Sequence, residues 1–83
     1  MIRYGAKTRL APEGVVAKAR KHFGPEGIGL KITNEGSCCI SFEGSGGFVK
    51  IDVAISDDGK STDVDLQARE WEYEAGRFMK SIR

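Results

Sequence analysis

The residues of this chain with chemistry to offer are two adjacent cysteines, Cys38 and Cys39, one histidine, His22, the acidic pair Asp57 and Asp58, glutamates spaced by two at Glu70, Glu72 and Glu74, and a glycine-rich run from Gly44 to Gly47. Cys38 and Cys39 fall in a strand-like stretch, where neighbouring side chains point to opposite faces, so one thiol is expected inside, the other outside, and no bridge between them. Two cysteines and a single histidine make neither a disulfide framework nor a zinc site. Cys39 as a nucleophile lacks any neighbour in sequence to lower its pKa. His22 lies near the end of a helical pattern between Lys21 and Phe23, a position suited to helix-end packing or exposure. Asp57 and Asp58 precede Gly59 and read as a turn. Glutamates two apart fan around a helix and do not converge on a metal. The glycine run precedes a strand, whereas phosphate loops precede a helix whose amides point at the anion. No nucleophile, acid and base converge, so the sequence reads as non-catalytic, with no cofactor and no metal.

The elements that position these residues follow from periodicity. Val49, Ile51, Val53 and Ile55 alternate with Lys50, Asp52 and Ala54, and Val64 and Leu66 alternate with Asp63, Asp65 and Gln67 beyond the Asp57–Gly59 turn. This Gly47–Ala68 hairpin is the centre of the fold. A helical reading competes for 62–68, and the alternation, with Leu66 off the helical stripe, favours a strand. Ile2, Tyr4 and Ala6 mark a first strand, although Gly5 weakens it. Pro12 and Glu13 open a helix around a poor cap, Ala11, and Val15, Val16, Ala19 and Phe23 share one face. Gly24, by tolerance of a left-handed conformation, and Pro25 end it. Ile28, Leu30 and Ile32 then alternate as a strand over 28–33, followed by an Asn34–Gly36 turn, and Ile40 and Phe42 belong to the next. Trp71, Ala75, Phe78, Met79 and Ile82 lie on one face of a closing helix, Glu70–Ile82, whose Gly76 should cost about 1 kcal/mol unless a close crossing requires it.

The expected fold is therefore α+β, in the order β-α-β-β-β-β-α. It is a two-layer sandwich in which both helices cover the single apolar face of an antiparallel sheet. Eighty-three residues suffice for one domain, 1–83, with one core and no large cavity. The 13 basic and 12 acidic side chains give no field that draws the chain to nucleic acid or membrane. The basic groups Arg3, Lys7 and Arg9, and Lys18, Arg20 and Lys21, have few exposed aromatics beside them for stacking on bases. No apolar run reaches membrane-spanning or signal length, and the free thiols point to the cytoplasm.

The helix from Pro12 to Phe23, the Gly47–Ala68 hairpin and the closing helix together resemble a shortened helix-grip fold, the architecture of the START, Bet v 1 and polyketide-cyclase group. The element order is also similar to half of a TATA-binding protein. The resemblance implies a groove between sheet and closing helix for a small apolar ligand, here with Phe42 and Ile51 on the sheet side and Trp71 and Phe78 on the helix side. It also implies a first strand beside the last, with Arg3 and Lys7 facing Asp63 and Asp65. The chain is shorter than that group's members, with fewer strands, which favours a filled core. The function expected is a small non-catalytic binding or interaction module, with a homodimer through an edge strand as one partner arrangement. Ile28, Gly29 and Lys31 are candidate interface residues on that edge, as is Phe48, on the outer side of the sheet. A carrier of a small apolar ligand and a nucleic-acid accessory are the alternatives.

Overall fold

Strict alternation builds the sheet, and the helices cover the face that alternation makes dry. The computed structural model describes residues 2–36, 38–44 and 46–82. Its elements are β1 (Ile2–Thr8), α1 (Pro12–Phe23), β2 (Lys31–Glu35), β3 (Cys39–Gly44), β4 (Gly47–Ile55), β5 (Thr62–Arg69) and α2 (Glu72–Ile82). The five strands form one antiparallel sheet in the order β1-β5-β4-β3-β2, so the first strand lies beside the last. The stretch that could have been helix or strand is β5, because Val64, Leu66 and Ala68 reach the core only by alternating.

Both helices lie on one face, α1 over β3 and β4, α2 over β1 and β5. The core between the layers gathers Val15, Ala19 and Phe23 from α1, Ile40, Phe42, Val49, Ile51, Val64 and Leu66 from the sheet, and Ala75, Phe78 and Met79 from α2. Phe23 is its hinge pin, with ring centroids 5.5 Å from Phe42 and 5.4 Å from Phe78. Thr8 Oγ donates to the carbonyl of Ile82, and Thr62 Oγ donates to that of Leu10 at 2.6 Å. These two hydroxyls tie the end of α2 and the β1–α1 connection to the sheet, satisfying polar groups that burial would otherwise penalise.

Three local expectations are corrected. The strand expected over 28–33 begins only at Lys31, because residues 24–30 fold back on the end of α1: Gly27 N donates to Gly24 O at 2.9 Å, Ile28 N to His22 O at 3.1 Å and Leu30 N to Phe23 O at 2.9 Å. Ile28 and Gly29 therefore lie outside the edge strand, and Gly29 takes a φ of +90° that a side chain disfavours. Gly24 is not left-handed; its φ is −73°, and glycine is needed because a Cβ would stand 2.3 Å from the carbonyl oxygen of Arg20. The closing helix starts at Glu72, since Glu70 and Trp71 have φ of 63° and 57°, outside the right-handed helical region.

At Gly76 no close crossing is found among the described residues. A Cβ there would find only Tyr4 Oη, at 3.7 Å, an ordinary contact. Gly76→Ala should therefore stabilise the fold by up to about 1 kcal/mol, the difference in helix propensity. Urea denaturation measures it, and a loss of stability would show that α2 needs closer approach to β1.

Candidate functional site

The four residues expected to line a groove do not all remain at a surface. Phe42, Ile51 and Phe78 are at most 1 % exposed and packed against one another's neighbours, while Trp71 is only half-buried at the rim. Trp71 lies against the end of β3: a Cβ on Gly44 would come within 2.9 Å of its ring. Its Nε1 is buried without a partner among the described residues.

A different depression, of about 470 Å³, opens between α2 and β1. Tyr4, Gly5 and Ala6 form its sheet side, and Tyr73, Gly76, Arg77 and Lys80 its helix side. Tyr4 is on the helix-bearing face by alternation, yet 38 % exposed because β1 is the edge strand of the sheet among the described residues. Tyr73 is 76 % exposed, with the Arg77 guanidinium 5.9 Å from its ring centroid. The alternation of Ile2, Tyr4 and Ala6 is visible in the sequence, but the groove is not, because it depends on how α2 packs against β1.

The two edges of the sheet differ. All seven residues of β1 are in unbroken register with β5. On β2 the register slips between Ile32 and Asn34, so a bulge at Thr33 breaks the other edge, a common device against strand addition. Lys31 is on this edge, opposite Glu43. Phe48 lies on the helix-free face, half-buried, between Glu43 and Arg69 across the ladder.

On the helix-free face Arg3 holds Asp65 through two hydrogen bonds, Nε to Oδ1 at 3.1 Å and Nη2 to Oδ2 at 2.6 Å. This pairing is diagonal, since Arg3 stands opposite Gln67 and Asp65 opposite Gly5. The Arg3 guanidinium holds the Asp65 carboxyl below the usual carboxylate range. Lys7 stands directly opposite Asp63.

His22 is more engaged than the sequence suggests. Its Nε2 lies 3.1 Å from Glu74 Oε2, and its ring meets those of Phe23 and Phe78 edge-on at 4.7 and 5.7 Å. The pair fastens the end of α1 to the first turns of α2. Fifty-two positions separate the two residues, and no local pattern announces the contact. The neighbouring hydroxyl, Ser81 Oγ, donates to Phe78 O at 2.6 Å, so it is committed to the backbone and is not presented to the imidazole as a nucleophile.

The expectation of one inward and one outward thiol is also corrected. Cys38 is exposed and Cys39 half-buried, with their Sγ atoms 3.2 Å apart. The strand begins at Cys39, so alternation does not govern Cys38. The hydrogen bond shared with Cys38, partial burial and the charge of Asp52 raise the Cys39 thiol pKa, the opposite of what a cysteine nucleophile requires. The glycine run joins β3 to β4, with Gly44 paired with Gly47 and Gly46 at φ +83°. Among the described residues no group of three or more His, Cys, Asp or Glu is placed to hold a metal ion, and no helix is long and apolar enough to cross a membrane. No protein family, curated protein or solved structure matches this chain.

Proposed function

We propose that the chain is a non-catalytic interaction module of shortened helix-grip type that accepts an extended strand of a partner along β1. The observation that carries this reading is the asymmetry of the edges: β1 offers seven unbulged residues with a groove beside them, whereas β2 is broken at Thr33. Strand addition draws its affinity from main-chain hydrogen bonds and its selectivity from alternate side chains. The charges on and beside β1 indicate which side chains. Arg3 and Lys7 flank Gly5 on the outer face, and Arg77 and Lys80 line the groove with Glu72 as the one acid among its lining residues. An antiparallel partner centred on Gly5 places two of its residues, four apart, opposite Arg3 and Lys7, and acidic residues there would share Arg3 with Asp65 and Lys7 with Asp63. A second copy in this register sets Arg3 against Lys7, and directly opposed like charges destabilise a strand pair. The homodimer is therefore the weaker occupant. The free thiols support a reducing, cytoplasmic setting.

A seven-residue peptide of alternating β-branched residues, with Glu at its second and sixth positions, tests the reading by amide shifts. The expected result is saturable change confined to Ile2–Thr8 and Tyr73–Lys80, weakened by salt and lost when both Glu are replaced by Lys. Changes centred on Lys31–Glu35, or none, overturn it. A dimer in sedimentation with β1 amides newly protected makes the second copy the occupant instead. The carrier reading is separated by an apolar fluorescent probe. With the core filled, the probe should neither alter Trp71 emission saturably nor raise the melting temperature, and both effects together would favour the carrier.

A further inference from the structure

We propose that Cys38 and Cys39 form a two-thiol chelating site for a trivalent thiophilic centre of the arsenite and antimonite class. The two sulfurs are adjacent and 3.2 Å apart at the start of β3, with Cys38 exposed and Cys39 half-buried. Their backbone is held in place, since Cys38 O accepts from Val53 N at 2.8 Å and Cys39 pairs with Asp52 across the ladder. The sulfur separation is nearer to what some ligands need than to what others do. Tetrahedral zinc, with Zn–S bonds of about 2.3 Å, sets two thiolates about 3.8 Å apart and asks for two further ligands. No cluster of three or more such groups exists among the described residues. A linear two-coordinate ion needs its sulfurs on opposite sides, farther apart again. A pyramidal trivalent centre keeps its bonds near right angles, and at a similar bond length of about 2.3 Å this places the sulfurs about 3.3 Å apart. The arsenite and antimonite oxyacids are neutral, so the carboxylate of Asp52 across the ladder does not repel their approach.

The binding step balances without an oxidant. With an organoarsenic oxide, two As–S bonds form and the arsenic–oxygen bond is broken. The oxygen leaves as water carrying both thiol protons, and arsenic stays trivalent. With the hydroxide form two waters leave. Soft sulfur donors suit such a centre.

The test uses phenylarsine oxide on the reduced full chain, read by intact mass and by amide shifts. One adduct per chain is expected, retained against excess monothiol and removed by excess dithiol, with shifts centred on residues 38–39 and 52–53. Cys38→Ser and Cys39→Ser, shown to be folded by circular dichroism, should each bind at least about 10²-fold more weakly, since closing the second bond within one molecule multiplies affinity by about that much or more. Wild-type protein that holds the arsenical no better than the single variants overturns the site. Zinc held one per chain and displacing the arsenical overturns the assigned ligand class.

Discussion

Ile51→Ala is expected to remove about 2–5 kcal/mol, because deleting a buried branched side chain loses its transfer energy and leaves a cavity that packed neighbours fill only in part. Ile51 is fully buried at the middle of β4, paired with Ile40 on one side and Leu66 on the other, beneath α1. Relaxation into the space has to move two strands and a helix together, which argues for the upper half of the range. Domains of this size have on the order of 5–15 kcal/mol in total, and each kcal/mol is worth roughly 4–8 °C in melting temperature. Thermal and urea denaturation measure the loss, and amide exchange in the native protein should be slowest within Val49–Ile55. A cost under about 1 kcal/mol, the usual range of a surface change, would place Ile51 on the wrong face of the sheet.

Gly27→Ala should be damaging for a different reason. A Cβ at Gly27 would stand 2.0 Å from the carbonyl oxygen of His22 and 2.5 Å from that of Lys21. Both obstacles are backbone, so the turn itself must open, breaking the hydrogen bonds that carry the chain from α1 to Lys31. Overpacking of this kind costs typically about 1–3 kcal/mol, and here it also displaces His22 from Glu74, loosening α1 from α2. Amide shifts should spread from residues 22–30 into the first turn of α2, alongside a lower denaturation midpoint. Gly76→Ala adds the same methyl group with the opposite expected sign, since only a tyrosine hydroxyl at ordinary contact distance faces it. If both variants behave alike, local crowding is not what selects glycine at 27.

The sequence by itself determined the layers of this protein. Residues alternating at period two, as in Val49–Ile55 and Val64–Ala68, can bury a common face only as strands, and the 3.6-residue stripe of Val15, Val16, Ala19 and Phe23 can do so only as a helix. Element type, order and the one-sided placement of both helices follow from that need alone. Tertiary structure decided everything set by distance across the chain. The return of residues 24–30 onto α1 overrides the alternation of Ile28, Leu30 and Ile32, because backbone groups at the helix end must find partners and find them in this turn. The His22–Glu74 contact, the groove beside Tyr4 and the bulge at Thr33 depend on how far one element lies from another, which no local period encodes. The thiols of Cys38 and Cys39 meet because the strand starts between them, so one residue obeys the pleat and the other does not.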